Sequence, residues 1–320
     1  MQKPFFLTVS QPCLHKYKAK WFVFLSAVLF AHAAVAEGQV SNEDPAVCQK
    51  FQPPQSESGQ LVDWLLRHSL EMKREGCWQA YIQLGPQAMR EAAMQSRFED
   101  QVRIALTVAS IYFYRGDYDQ SRKVAEEACN YAQEHEEWDG YIFSLSQLSA
   151  VARAQGRKEA AMEYSEKGME ALEKYRPVGP FLEAKMLYNY GALLSDSDKP
   201  DLDRARIVLK RSLALYEVLK DVDEIVRANL RLARIDYLEG KYDRALAVIE
   251  SVEAIPKSAR SQMLYHYLLA KTHHRMEDWE IAAAEALRAL ALASRMNASE
   301  DEKRARALLT AIGNMAFVND

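Results

Sequence analysis

The amino-acid sequence predicts an all-α fold, a solenoid of about six antiparallel helix pairs over residues 60–297, on three observations. The 320 residues are 49% hydrophobic and 27% charged, with only 12 Gly and 10 Pro. Ala, Leu, Glu, Lys and Arg dominate, and runs of alternating β-branched residues are absent. One short turn is also written again and again: Gly76 in EGCWQAY, Gly116 in RGDYDQS and Gly156 in QGRKEAA stand 40 residues apart, Gly240 repeats the turn in EGKYDRA, and Glu277 takes the Gly position in MEDWEIA. Between turns, apolar residues keep a helical spacing, as Val226, Leu230, Ala233 and Tyr237 do.

Residues 1–36 read as a segment apart from this fold. Lys3, Lys16, Lys18 and Lys20 form a basic leader without an acid, and Trp21–Ala36 is an apolar run closing on Ala34-Val35-Ala36. That is the pattern of a signal peptide cut after Ala36. The run has 16 residues, short of the ~20 that a membrane span needs. The expectation is an exported, periplasmic protein; a secreted form and an uncleaved N-terminal anchor are the alternatives. Loss of the four leader lysines leaves 37 basic against 45 acidic residues, a net of −8, which argues against general nucleic-acid binding.

Residues 37–59, with Pro45, Pro53 and Pro54, have linker composition. Cleavage would remove Cys13 and leave Cys48, Cys77 and Cys129. An odd count in an oxidising compartment suggests one disulfide, Cys48–Cys77, pinning the linker to the first turn, with Cys129 a buried thiol. Three reduced core cysteines are the alternative.

The units then follow in order. In the first, Pro86 falls inside the second helix and predicts a kink. The second and third carry the turn at Gly116 and Gly156, and the fourth replaces it with an acidic loop over 195–203. The fifth runs through Gly240 into a second helix predicted to end at Pro256, and the sixth turns at Glu277. Gly relieves Cβ crowding at the turn, and the aromatic two residues later packs across the pair. Small residues farther on, Ala88, Ala128, Gly168, Ser212 and Ala289, let the helices approach. No pair can bury both faces alone, so neighbours must stack, and residues 298–320, with Leu308, Leu309, Ile312 and Met315 on one face, read as the capping helix.

The turn resembles that of the tetratricopeptide repeat family, whose unit ends its first helix in Gly-x-Tyr-x-x-Ala; Gly116-Asp-Tyr118 and Gly240-Lys-Tyr242-Asp-Arg-Ala245 are the clearest instances. The resemblance covers roughly three quarters of the chain, with a period near 40 rather than 34. It implies a right-handed superhelix that binds a protein or peptide along a concave groove lined by the first helix of each pair. Counting from the turn, the groove positions include Arg103 and Phe113, then Phe143, Gln147 and Arg153. The strongest candidates are Lys185, Tyr188, Asn189, Arg227, Arg231, Arg234, Tyr237, Tyr267, Lys271 and His274. That set is basic and aromatic in a net acidic chain.

Arg227, Arg231 and Arg234 recur at i, i+4 and i+7, one stripe along one helix. Guanidinium forks suit carboxylates, so an acidic or carboxylate-bearing partner is one expectation; pairing with Asp221, Asp223, Glu224 or Asp236 is the other. Asn189, Arg227 and Arg231 also resemble part of the carboxylate clamp of chaperone-binding family members, although Ser146 and Ala150 stand where the clamp has Lys and Asn.

Catalytic signatures are missing: no G-x-S-x-G, P-loop, G-x-G-x-x-G or H-E-x-x-H occurs. His266, His273 and His274 share one helix, about two turns apart where they share a face, too far to chelate one ion. The Gly of Arg115-Gly116-Asp117 is explained by the turn rather than by an adhesion motif. The expected function is therefore non-catalytic protein or peptide binding, with no cofactor and no metal. Self-association or convex-face contacts of a sensor or envelope-assembly module, and binding of an anionic glycan or cell-wall fragment, are the alternatives.

Overall fold

Helix, turn, helix, turn repeats every 20 residues, and that half-period explains the 40-residue unit. A computed structural model describes residues 44–54, 60–197, 199–255 and 257–316; the leader 1–36 and its cleavage site lie outside the described residues. After a 3-10 helix, Ala46–Lys50, thirteen α-helices follow among the described residues. They run as pairs: α1 (Gln60–Glu75) with α2 (Trp78–Met94), α3 (Phe98–Arg115) with α4 (Tyr118–Glu134), and α5 (Trp138–Ala154) with α6 (Lys158–Lys174). Next come α7 (Pro180–Asp196) with α8 (Leu202–Leu219), α9 (Val222–Leu238) with α10 (Tyr242–Ser251), and α11 (Ala259–Arg275) with α12 (Trp279–Arg295). Helix α13 (Ser299–Ala316) closes the array.

Nine of the turns stop their helix with one residue in the left-handed region. Gly76, Gly116, Gly156 and Gly240 do this inside the pairs, and so does Glu277. Ser96, Glu136, Lys220 and Asn297 do it between pairs. The bond pattern is the same throughout: the Asp117 N–H reaches back to the Tyr112 carbonyl at 2.9 Å, as Arg97 does to Ala92 at 2.9 Å and Glu137 to Ala132 at 2.8 Å. The sequence reading found the turns inside the pairs because Gly marks them. It had no marker for the turns between pairs, where side chains bear a left-handed backbone at a cost of about 1 kcal/mol each.

Helix α2 runs without interruption through Pro86. One local expectation is corrected. Helix α10 stops at Ser251, well before Pro256, because the chain tightens into short bonds from Val252 to Ile249 and Glu253 to Glu250.

Small residues set the distance between helices. A Cβ built on Gly191 of α7 would lie 2.6 Å from Leu209 Cγ of α8 and 3.3 Å from the Ala205 carbonyl oxygen. Since backbone lines part of that contact, Gly191→Ala is expected to destabilise the protein by about 1–3 kcal/mol, read from the midpoint of urea unfolding. An unchanged midpoint would mean that α7 and α8 slide apart freely.

The solenoid completes its turn and meets itself. One apolar cluster joins Leu65, Met72, Trp78 and Ile111 of the first two pairs to Met263, Ala293 and Met296 of the last. Ser299 Oγ donates to the Arg115 carbonyl at 2.7 Å, and Gly76 faces Met296 on one side and Pro45 on the other. The disulfide Cys48–Cys77 straps residues 44–51 across this seam, while both carboxylate oxygens of Asp44 accept from the free N–H groups of Gln79 and Ala80, at 2.7 and 2.6 Å, at the start of α2. On α13, Ala305, Leu308 and Ile312 are buried.

Candidate functional site

Helices α5, α7 and α9, first helices of successive pairs, bring charged side chains together inside this closed turn. Two carboxylates organise them. Asp196, at the C-terminal end of α7, takes guanidinium contacts from Arg153 on α5 and from Arg231 and Arg234 on α9, the latter two at 3.2 and 2.6 Å. Glu224, in the first turn of α9, pairs with Lys185 at 3.2 Å and Arg227 at 2.7 Å. Between the two centres stands the Tyr188 ring, with Arg227 at 5.2 Å, Lys185 at 5.8 Å and Arg231 at 5.9 Å from its centroid.

Positive charge is in surplus here. Burial pushes the Asp196 carboxyl up, yet Arg231, Arg153 and Arg234 outweigh it and hold the group at about 2. Glu224 is likewise held at about 2, burial being overcome by Arg227, Lys185 and Lys73. One carboxylate does not satisfy three guanidiniums: burial and the neighbouring Arg231 push Arg234 down to about 10 in spite of its contact with Asp196. Arg234 keeps 41% of its side chain exposed, against 15% for Arg231, so it is the member of the stripe best placed to meet a newcomer. Arg227 Nε is buried without a hydrogen bond.

The stripe therefore does not find the partners considered for it, apart from Glu224. Asp221 instead caps α9, Asp223 accepts from the Ser258 N–H and hydroxyl, and Asp236 holds Arg206 and Arg244. Asn189 donates to Ser146 Oγ at 2.7 Å. Lys271 makes no ion pair among the described residues; its ammonium lies 4.7 Å from the Tyr237 ring and 5.9 Å from the Tyr267 ring. His274 stacks edge-on against Trp279, outside the charged centres, and burial followed by Arg275 and Lys271 lowers its basicity. His266 is bound to Glu285 at 2.6 Å. No group of three metal-ligating side chains occurs among the described residues.

Three lumen residues escaped the sequence reading. Asp196 lies in the acidic loop that replaced the fourth turn, where nothing in the spacing shows that it folds inward. Lys73 and Tyr114 stand at groove positions of the first and second units by the same count that selected Arg234, so a signal existed. An open apolar depression between α2, α3 and α4, lined by Met89, Val102, Val124 and Tyr131, shares no residue with the lumen.

The sequence profile described as "Tetratricopeptide repeat" matches residues 100–174, which span α4, α5 and α6 whole and all of α3 but its first two residues. The same helix and turn lengths continue on both sides of that stretch. Residues 100–174 therefore carry tetratricopeptide repeats. No curated protein sequence matches it. Solved tetratricopeptide-type structures do. A Rap protein complexed with competence and sporulation factor is 15% identical, with 82% of this chain and 77% of that one covered and a TM-score of 0.60. The apo quorum sensor NprR from B. thuringiensis is 14% identical over 79% of this chain and 74% of that one, at a TM-score of 0.50. A signal-transduction ATPase with a tetratricopeptide repeat sensor from Pyrococcus horikoshii is 15% identical over 93% of this chain but 44% of its own, at 0.52. At these identities the likeness concerns the fold.

Proposed function

We propose that this tetratricopeptide-repeat protein is a non-catalytic scaffold whose lumen binds an acidic or carboxylate-bearing segment of a protein partner. One observation carries the reading. Arg153, Lys185, Arg227, Arg231, Arg234 and Lys271 line the groove, and among the described residues only Asp196 and Glu224 pair with them, in a chain of net charge −4. Concentrating cations on one wall of an acidic protein raises its free energy unless an anion joins them, and guanidinium forks take carboxylates bidentately. Tyr188, Tyr237 and Tyr267 supply rigid aromatic surface beside the charges, the composition of a binding hot spot. The Rap structure, of like fold, was solved with competence and sporulation factor, and that fold's use by a quorum sensor favours a protein or peptide over a glycan. The basic, apolar leader ending in Ala34-Val35-Ala36 supports an envelope partner, as an export signal would.

The test is capture from envelope extract by the protein and by an Arg234→Gln/Lys271→Gln variant. Arg234 is the most exposed member of the stripe and Lys271 contacts only rings, so neither change removes a carboxylate's main counterion; circular dichroism checks the fold. A partner is expected to be held by the wild type, released at 0.5 M salt on the order of a Debye length of 4 Å, and recovered at least about tenfold less well by the variant. Equal recovery by both proteins would move the binding surface to the outer face.

A further inference from the structure

Lys271 and Arg275 are the unanswered cations of the last pair. They stand one turn apart on α11, at i and i+4, and neither forms an ion pair among the described residues. Like charges at that spacing oppose the helix. The negative end of the helix dipole favours a cation in the last turn, but side chains left free in water would serve it equally well. Here both are held against rings at the α9–α10 turn. The Lys271 ammonium lies 4.7 Å from the Tyr237 centroid, the Tyr237 and Tyr242 centroids are 5.6 Å apart, and the Arg275 Nε–H donates to the Tyr242 hydroxyl oxygen at 3.1 Å. These four side chains are one connected set, with the bases at the end of α11 and the rings on either side of the Gly240 turn.

The set is built to accept more. The bond to Tyr242 uses the Nε edge of Arg275 and leaves both terminal amino groups free, the fork that takes a carboxylate. Lys271 meets only rings, so its N–H donors are unspent, and burial followed by the Arg234 and Arg275 charges lowers its basicity. Arg234 precedes Tyr237 by three residues on α9, the spacing of neighbours on one face, so the set begins where the Asp196 centre ends. At the other end an open depression lined by Gly240, Tyr242 and Met276 lies beside Arg275.

We propose that Lys271 and Arg275, with Tyr237 and Tyr242, form a two-carboxylate subsite, and that the bound segment crosses it along α11 as an extended chain with acidic side chains at positions n and n+2. This rests on the lumen binding an acidic segment. It adds Arg275 and Tyr242 to the site and a spacing to the ligand. Residues four apart on a helix are displaced about 6 Å along its axis, and alternate side chains of an extended chain share one face about 6.7 Å apart. Adjacent acids point to opposite faces, so one of them alone reaches the pair. Tyr237 and Tyr242 supply flat surface for the backbone between the two acids.

The probes are two pentapeptides of equal composition and charge, acetylated and amidated: Ala-Glu-Ala-Glu-Ala and Ala-Glu-Glu-Ala-Ala. Each is titrated at low salt into the full chain and into Arg275→Gln, an exposed position. The alternating peptide is expected to bind the wild type about tenfold more tightly than the adjacent one, the worth of one further charge-assisted contact. Arg275→Gln is expected to bring the alternating peptide down to the affinity of the adjacent one, with Tm unchanged. An Arg275 of purely structural value would shift Tm and leave the preference intact. If the wild type binds both peptides equally, or Arg275→Gln keeps the preference, the subsite is wrong while the acidic-segment reading stands. If neither peptide binds the wild type but Arg234→Gln/Lys271→Gln still loses the captured partner, the subsite falls alone. If that variant keeps the partner as well, both readings fall.

Discussion

Asp196→Ala is expected to destabilise the folded protein by about 3–5 kcal/mol, the range for removing one partner from a buried ion pair. The size follows from what would be left. Arg153, Arg231 and Arg234 converge on this one carboxylate, so its loss leaves three guanidiniums facing one another in a lumen walled by protein. Asp196→Asn keeps the shape and hydrogen-bonding capacity but not the charge, and is expected to show most of the same loss. Guanidinium denaturation is unsuitable because the denaturant is itself a salt that screens the effect; urea unfolding at low ionic strength reads it directly. A loss below about 1 kcal/mol, the value of an exposed pair, would mean that the arginines swing out to water. The same groups set a pH dependence. Asp196 and Glu224 both titrate at about 2 in the folded protein, below their ordinary 3.8 and 4.5. Groups held down in the folded state add stability that is complete above their unfolded values and vanishes as pH falls through the folded ones. Stability should therefore be flat above about pH 5, then fall steeply between roughly pH 4.5 and 2, by on the order of 2 kcal/mol for each carboxylate. The Asp196→Asn variant should lose its share of that slope.

Removing the Cys48–Cys77 bridge, by Cys48→Ser with Cys77→Ser or by reduction, is expected to cost about 3–4 kcal/mol. Closing a loop across a sequence separation of 29 withdraws roughly that much entropy from the unfolded chain. A second loss is added in the folded state. The bridge holds residues 44–51 against the seam, where Phe51 packs into the core shared by the first and last pairs and Asp44 caps α2. The loss should therefore appear as faster exchange of amides in α2 and α13 as well as a lower unfolding midpoint. A midpoint shift with unchanged exchange in α13 would mean that the strap acts only on the unfolded chain, and no shift at all would mean that residues 44–51 contribute nothing. Cys129 serves as an internal control, since burial pushes its thiol up to about 11 and leaves it unreactive in the folded protein.

Much of this molecule was written locally. The turns at Gly76, Gly116, Gly156 and Gly240 were legible because a left-handed residue followed by an aromatic has few other uses, and the helices between them because apolar spacing reports one buried face. The stripe of Arg227, Arg231 and Arg234 was legible for the same reason: three residues on one helix need only that helix to be neighbours. The turns at Ser96, Glu136, Lys220 and Asn297 were not, because the bonds that impose a left-handed backbone there come from the preceding helix and not from the residue type. The partners of the stripe were equally invisible. Asp196 lies 35 residues before Arg231, at the last residue of α7 where an irregular loop begins. The sequence by itself determined the helices, their pairing with the next in line and the basic character of the groove, because each depends on contacts within about 40 residues. The tertiary structure alone decided that the solenoid turns far enough to meet itself and that Asp196 gathers the arginines of α5 and α9. Small rotations between successive pairs add up over six units, and no single turn in the sequence records their sum.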